Sequence, residues 1–223
     1  MGVSIPTGSL VRTGEERATL VRRTYTLVFV SVLVTVFGAS FGLSQPALMQ
    51  AVLDHPFISI IALFAPLLMA TRTRQQFPAN IGFVLLFTFI EGIFLSPLLK
   101  FYGQAQPGLI TEAAVLTISA FGVLTLYAFV SRRDFRPWGG FLITGLWVLI
   151  ATMLLSFLFH NPIADLWIAS ATVLIFSGLL VFDTWRLRNV YGPDDYVRAA
   201  VNIYLDLLNM FLAILRILGG RRS

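Results

Sequence analysis

The sequence predicts an all-α polytopic membrane protein, a bundle of seven transmembrane helices with the C-terminal helix at its centre. Three observations support this prediction. The 223 residues are 57% hydrophobic and only 12% charged, which is about half the charged share of an average soluble domain. The apolar residues gather into seven runs near the length of a membrane span, about 20 residues. The last run carries a polar stripe, which must face protein rather than lipid.

This composition excludes several classes of protein. A water-soluble enzyme would need more charge on its surface, and a disordered chain would be less hydrophobic. Cysteine is absent, so disulfides, thiolate metal sites and a cysteine nucleophile are excluded. His55 and His160 are too far apart in the sequence to indicate a metal site. The basic residues lie between apolar runs, so the net charge of +5 is interpreted as an orientation signal and not as a nucleic-acid-binding surface.

The chain divides into a polar tail, one membrane domain and a short end. Residues 1–24 lack a signal-peptide cleavage pattern and are predicted to be a cytoplasmic N-terminal tail. Residues 25–218 form the seven-helix transmembrane domain, and residues 219–223 a C-terminal tail. The second apolar run is short, and it reaches the length of a span only if it starts near Ala51. The seven runs, separated by turn-forming residues, are Tyr25–Leu43, Phe57–Ala70, Ala79–Leu99, Ile110–Val130, Trp138–Phe159, Ile163–Phe182 and Ala199–Leu218.

The basic residues predict the orientation of the bundle. With a cytoplasmic N-terminus, the inside segments hold twelve of the sixteen basic residues, as the positive-inside rule requires. Seven spans then place the C-terminus outside, where Arg216, Arg221 and Arg222 break the rule. A re-entrant last segment would return them to the cytoplasm, and the rule leaves both topologies open. Arginine outnumbers lysine fifteen to one, with Lys100 the single lysine. Such a ratio indicates a GC-rich genome and favours a bacterial source, and hence the bacterial inner membrane.

The last apolar run is informative because its polar residues share one helical face. The face is formed by Asn202, Asp206, Asn209 and Arg216, at offsets of 4, 7 and 14 residues from the first. A polar stripe on an apolar helix turns away from lipid, so we expect this helix to be central. The stripe indicates either a pore surface or polar contacts that hold helices together.

Asp183, at the inner end of the sixth run, has two candidate partners. It can form an interfacial ion pair with Arg186, three residues further on. It can instead meet Asp206, because a short connection makes the two helices antiparallel neighbours. Counted from their helix ends, the two carboxylates lie at depths of about 9 and about 18 Å. These depths match only if the last helix begins later or tilts.

Glu91 is a lone carboxylate in the middle of the third run. Within a membrane such a group is either neutral or paired. One hypothesis is a cation or proton relay position, and the other is a protonated glutamate that binds a neighbouring helix. Ser96-Pro97 further along can kink this helix and free a backbone carbonyl.

Two segments resemble the transmembrane Bax inhibitor motif family. The most specific stretch is Tyr-Leu-Asp-x-x-Asn-x-Phe-x-x-x-Leu-Arg, which here runs from Tyr204 to Arg216. The span count and the short loops agree along the whole chain. The other matching residues are Phe182-Asp183-Thr184, Tyr196–Ile203, Glu91-Gly92 and Ser96-Pro97-Leu98.

The resemblance implies a seven-helix bundle around the last helix that acts as a pH-sensitive calcium leak channel. It further implies that Asp183 and Asp206 share a proton and engage an arginine at the inner end of the second helix. That arginine is Arg74 or Arg72, and Arg74 fits better when counted back from Gly92. Two carboxylates in one low-dielectric site titrate as a unit. Their oxygens also suit calcium, which makes the pair a transient calcium site.

Three other functions can use the same carboxylates. An intramembrane aspartyl protease needs a Gly-x-Gly-Asp motif with a Pro-Ala-Leu after it. Here Asp183 follows Phe182 and Asp206 follows Leu205, and no Pro-Ala-Leu comes after them, so no enzyme activity and no catalytic residues are expected. A proton-coupled transporter would be favoured by internal repeats, and none is visible. A regulatory membrane protein would bind other membrane proteins and conduct nothing. No phosphate-binding loop supports a pump, and no cofactor is expected. The expected partners are the lipid bilayer, calcium ions and other membrane proteins, not nucleic acid.

Overall fold

A computed structural model describes residues 14–72, 77–159 and 162–220, and it contains no strand within them. The all-α prediction is therefore confirmed for the described chain. Its elements are α1 (Gly14–Ser44), α2 (Pro46–Asp54), α3 (Pro56–Arg72), α4 (Ala79–Ala105), α5 (Leu109–Val130), α6 (Trp138–Phe159), α7 (Pro162–Asn189), a short 3₁₀ turn (Pro193–Asp195) and α8 (Tyr196–Gly220).

Six helices, α1 and α4 to α8, are long and apolar enough to cross a membrane. The predicted second span is α3, a shorter helix of 17 residues with an apolar stretch at Ile61–Ala70. Six of the seven predicted spans are thus confirmed by length and composition. The second span in chain order, which corresponds to α3, stays a prediction. The exposed surface of the spans is rich in large apolar side chains, which is what contact with lipid requires.

The segment before α3 folds differently from the expectation that one helix could start near Ala51. The structure has two helices, and the break lies at His55, which adopts a non-helical backbone conformation. The physical reason is Pro56, because a proline disfavours helical geometry at the residue before it. Proline is also well suited to the first position of a helix, and Pro46 and Pro56 begin α2 and α3.

The last helix occupies the centre of the bundle, as its polar stripe predicts. α8 packs against α1, α4, α5 and α7, and Ile203, Met210 and Leu215 are fully buried. The helix is continuous over 25 residues, or about 37 Å at 1.5 Å per residue. A hydrocarbon core is about 30 Å thick, so α8 is long enough to span it without re-entering.

α1 and α4 approach each other so closely that only glycine fits at the crossing. A Cβ atom on Gly92 would overlap the carbonyl oxygen of Thr35 and lie 2.8 Å from the backbone nitrogen of Ala39. A Cβ atom on Gly38 would likewise overlap the carbonyl oxygen of Phe89. Small residues allow such backbone contact between membrane helices. The crossing places Thr35 of α1 beside the turn of α4 that carries Glu91.

Two side-chain contacts satisfy backbone carbonyls at irregular points of the helices. Within α4, Pro97 cannot donate to the carbonyl oxygen of Ile93, and the Ser96 hydroxyl donates to that oxygen at 2.7 Å. At the end of α5, the Arg188 guanidinium donates to the carbonyl oxygens of Phe129 and Ser131. Basic groups stabilise the C-terminal ends of helices in this way. The second contact fixes the end of α7 against α5, close to Asp183.

Helix α1 begins at Gly14 rather than near Tyr25, so part of the predicted tail is helical.

Candidate functional site

The Asp206 carboxylate lies inside the bundle, with only 4% of the residue exposed. Its Oδ2 atom is buried and has no hydrogen-bond partner among the described residues. Asp183 of α7 is close enough to interact with it electrostatically. The structure therefore brings the two predicted aspartates together, although the simple count of helix depths left their meeting open. Helix α8 begins at Tyr196, two residues after the Asp194 from which that count started, and the later start lessens the mismatch.

Asp183 has a cation beside it and Asp206 has none that the structure describes. The Arg186 guanidinium lies 3.0 Å from Oδ1 of Asp183, in an ion pair one helical turn apart. The side chains of Arg186 and Asp183 are 24% and 8% exposed. Asn202 of α8 lies within hydrogen-bonding reach of the same carboxylate, and Arg198 adds a weaker attraction. The ion pair with Arg186 and the meeting with Asp206 are thus both present.

Tyr191, in the connection between α7 and α8, covers the loop side of the pair. Its ring lies 4.7 Å from the guanidinium carbon of Arg186 and 5.9 Å from that of Arg198, distances at which cations are attracted to aromatic faces. The Asn202 amide donates to its hydroxyl at 3.1 Å. Burial, and secondly the Asp183 carboxylate, raise the pKa of this hydroxyl to about 12. Tyr191 is therefore a neutral group at physiological pH.

This arrangement can bind a proton or a cation. Two carboxylates next to each other in a buried site cannot both be charged cheaply, and an unpaired buried charge costs several kcal/mol. Arg186 compensates one charge, on Asp183. The unpartnered Oδ2 of Asp206 is left as the position at which an added proton or cation would be most strongly held.

The second-helix arginines of the predicted latch are not part of the described site. Arg74 lies outside the described residues, and Arg72 ends α3 without a described side chain. Their contact with the aspartates stays a prediction. The guanidinium group that does contact the pair, in the part of the chain described, belongs to Arg186.

The remaining members of the polar stripe have separate environments. The Asn209 amide donates to the carbonyl oxygen of Leu205 in its own helix, at 2.8 Å. Arg216, one turn before the end of α8, is exposed. Of the stripe, Asn202 and Asp206 in its N-terminal half reach Asp183.

Glu91 belongs to a second site, made of α1, α4 and α8. The Tyr204 hydroxyl lies 3.3 Å from Oε2 of Glu91 and 2.7 Å from Oγ1 of Thr35. The Thr35 hydroxyl also donates to the carbonyl oxygen of Ser31 at 2.9 Å. The ring of Phe87 packs edge-on against Tyr204, with ring centres 6.2 Å apart, and so fixes the hydroxyl between the three helices.

An apolar cavity of about 320 Å³ lies beside this second site. Thr35 and Tyr204 form part of its wall, together with apolar residues such as Leu95, Leu208 and Phe211. No charged residue lines it within the described chain. The surroundings of Glu91 are therefore of low polarity on the cavity side.

The sequence did not predict three of the residues that form these sites. Tyr191, Tyr204 and Thr35 are single hydroxyl-bearing residues in or next to apolar runs, which is a weak signal. Tyr204 lies within the specific motif, but the stripe argument did not include it because it lies off the polar face. A buried tyrosine needs a partner for its hydroxyl, and that rule was the one signal able to find it.

Comparison with known proteins agrees with the resemblance found in the sequence. Residues 17–223 match the family model described as "Inhibitor of apoptosis-promoting Bax1". The chain is 34% identical to "Bax inhibitor 1" of Schizosaccharomyces pombe, over 91% of this chain and 77% of the relative. It is 30% identical to "Protein lifeguard 4" of Mus musculus, over 91% and 85%. It is also 30% identical to an "Uncharacterized membrane protein" of Vibrio cholerae, over 96% and 94%.

Proposed function

The chain belongs to the family of inhibitors of apoptosis-promoting Bax1, and from that premise we propose that this integral membrane protein is a pH-sensitive calcium leak channel. Calcium would pass down its gradient without nucleotide. The Asp183–Asp206 pair would sense pH and contact the ion in transit. The proposed location is the bacterial inner membrane with a cytoplasmic N-terminus, and no catalytic step is involved.

One observation carries the proposal: the buried, unpartnered Oδ2 of Asp206 faces a second carboxylate in the core of the bundle. A carboxylate in such a position is costly for a membrane protein and indicates function rather than packing. The charge of the pair changes when one proton is added. A site of this kind supports pH sensing without histidine.

The chemistry of the pair also supports calcium as the ion. Carboxylate and amide oxygens are ligands that calcium prefers, and Asp183, Asp206 and Asn202 offer them within one region. Calcium takes about six to eight oxygen ligands when it is held tightly. The described residues contain no group of three or more His, Cys, Asp or Glu side chains suited to a metal. The site thus fits weak, transient coordination by a permeant ion.

We further propose that an arginine just after the second apolar run, at the inner end of the second span, holds the closed state. At high pH the charged pair would attract Arg74, or Arg72 in its place, through a charge-assisted hydrogen bond. Acid would neutralise the pair and release the helix, so that leak rises as pH falls through neutrality. A bond of a few kcal/mol is enough to shift a two-state helix by tens-fold or more.

The test is calcium flux into liposomes that contain the purified protein and an enclosed calcium dye. We expect flux without nucleotide that is faster at about pH 6 than at about pH 8. Flux that appears only when ATP is added, or no flux at either pH, would refute the channel. Glu91→Gln should change the pH response less than Asp206→Asn does.

The latch has its own test in the same assay. Arg74→Ala should leak at about pH 8, as acid does, and Arg72→Ala separates the two candidates. If neither variant leaks more than the wild type at high pH, the second-helix latch is wrong even if the aspartates titrate.

A second candidate function is regulation of other membrane proteins without conduction. The name "Bax inhibitor 1" describes one relative as an inhibitor, and this supports a regulatory function as the second candidate here. A conducting and a non-conducting protein differ in the liposome assay, where no partner protein is present. Flux there supports the channel, and its absence supports the regulatory function.

A further inference from the structure

An apolar groove of about 590 Å³ lies on the outside of the bundle, between α6 and α7. The principal neighbour of α6 is α7, so one side of this helix pair is left open to the surroundings. Phe141 of α6 and Leu174 of α7 line the groove and are each 73% exposed. Ala171 and Gly178 also line it, and their short side chains leave room between the two helices. The lining contains no charged side chain among the described residues.

The groove begins at the membrane surface and extends across one leaflet. Trp138, the first residue of α6, lines the groove and is 44% exposed, and tryptophan is enriched where a membrane meets water. The ring of Phe182 lies beside Gly139 and so marks the same level on α7. The far end of the groove at Ala171 lies eleven residues before Phe182, or about 16 Å at 1.5 Å per residue. Half of a hydrocarbon core is about 15 Å thick, so the groove has the depth that one lipid chain occupies.

The loop before α6 places positive charge at the mouth of this groove. Residues 131–137 contain three arginines and one aspartate, and Arg136 directly precedes Pro137, which lines the groove. The side chain of Arg136 is 78% exposed, and its Nε atom lies 3.8 Å from Oδ2 of Asp134, too far for a hydrogen bond. Asp134 instead accepts from the backbone N–H of Arg136, at 2.9 Å. The guanidinium group therefore has no hydrogen-bond partner in the part of the chain that the structure describes.

We propose that this groove binds an anionic phospholipid, with an acyl chain between α6 and α7 and the phosphate at Arg136. A guanidinium group binds phosphate oxygens through paired, charge-assisted hydrogen bonds. The first turn of α6 contains no acidic residue, so the positive end of its helix dipole adds to the attraction. A zwitterionic lipid offers the same phosphate but brings a cation next to the basic loop, and it binds less well. The site goes beyond the proposed function, since it lies on the outside of the bundle and does not depend on calcium conduction.

Tryptophan fluorescence tests this inference, because Trp138 reports what occupies the groove. The full-length protein is reconstituted into phosphatidylcholine vesicles that contain a minor fraction of phosphatidylglycerol with brominated chains. A parallel sample contains the same fraction of brominated phosphatidylcholine. Bromine quenches a tryptophan that it touches, so we expect stronger quenching by the brominated phosphatidylglycerol, and Trp138→Phe should remove the difference. Trp167→Phe, which removes an exposed tryptophan outside the groove, is the matched control and should keep it.

Arg136→Ala tests the position of the headgroup in the same assay. It should reduce quenching by the brominated phosphatidylglycerol to that by the brominated phosphatidylcholine. Arg17→Ala removes an exposed arginine at the start of α1 and should leave the difference in place. Equal quenching by the two lipids in the wild type, or a difference that survives in Arg136→Ala, would overturn the inference. Absence of quenching of Trp138 by either lipid would mean that a protein helix covers the groove, which also contradicts it. The readout is independent of calcium flux, so its failure and that of the channel can be told apart.

Discussion

The two carboxylate sites of this bundle differ in the groups that surround them. Asp183 and Asp206 lie together between α7 and α8, beside the guanidinium groups of Arg186 and Arg198. Glu91 lies between α4 and α8 with hydroxyl groups as its described neighbours. Guanidinium groups stabilise the ionised form of a carboxylate, whereas the described hydrogen-bond partner of Glu91 is the uncharged Tyr204 hydroxyl, which donates to it. Among the described residues, the first site thus has charged partners and the second has uncharged ones.

The largest expected effect comes from Asp206→Asn, which removes a titrating group from the first site. The ratio of calcium flux at acidic pH to that at alkaline pH should fall to that of a pH-insensitive leak. Asp165→Asn is the control, because Asp165 is an exposed carboxylate on α7 that accepts from Ser156. An unchanged pH response in Asp206→Asn would remove the pair from the mechanism and break the comparison.

Arg186→Ala should have the next largest effect, because it leaves Asp183 without its cation. Protonation of the pair then becomes easier, so flux at about pH 8 should rise, by about tenfold for each 1.4 kcal/mol of lost interaction. Arg186→Lys keeps the charge and should restore much of the wild-type behaviour. Arg133→Ala, which removes an exposed loop arginine, should have no effect. Equal flux in Arg186→Ala and the wild type would show that this ion pair has no part in gating.

Gly92→Ala should disturb the second site more than the first. The added methyl group would overlap α1 at the crossing beside Thr35, and such overpacking costs about 1–3 kcal/mol. Thermal unfolding in detergent measures this loss. Gly82→Ala is the matched control in α4, where a Cβ atom meets open space and a gain of about 0.5–1 kcal/mol is expected. Equal stability of the two variants would contradict the close crossing.

A smaller effect is expected for Thr35→Val, which removes the hydroxyl that meets the Tyr204 hydroxyl. The lost hydrogen bond with Tyr204 should lower the free energy of unfolding by about 1 kcal/mol. Ser40→Ala removes a hydroxyl on the same helix that bonds its own backbone at an exposed position, and it should change stability less. A larger loss for Ser40→Ala would argue against a stabilising hydrogen bond between Thr35 and Tyr204.

The smallest effect is expected for Tyr191→Phe, measured as the pH midpoint of calcium flux. The pKa of Tyr191 is raised to about 12, so its hydroxyl does not ionise between pH 6 and pH 8. The variant loses the acceptor for Asn202 and can change the rate, but the midpoint should stay in place. A shifted midpoint would mean that the first site depends on Tyr191 as well as on its carboxylates.

Much of the architecture could be predicted because its signals are local. Uninterrupted apolar runs lead to helices, since a membrane leaves no other partner for the backbone of a single span. The central position of α8 follows from Asn202 and Asp206, whose polar groups must avoid lipid. The pairing of Asp183 with Asp206 was anticipated from a motif, but the depth count alone left it open. The extension of the second run to Ala51 was only a condition, and the structure interrupts it at His55, because proline disfavours helical geometry at the residue before it.

By itself, the sequence determined that this protein is an integral membrane bundle, and it singled out Glu91, Asp183 and Asp206, which the structure places in buried or half-buried positions. The reason is that apolar composition and helical spacing act between residues close together in the chain. Only the tertiary structure decided which neighbour each carboxylate has. Thr35 and Tyr204 are 169 residues apart in the chain, and they meet because α8 packs against both α1 and α4, which touch each other at Gly38 and Gly92. Such contacts depend on helix rotation and crossing, which no local pattern of residues specifies.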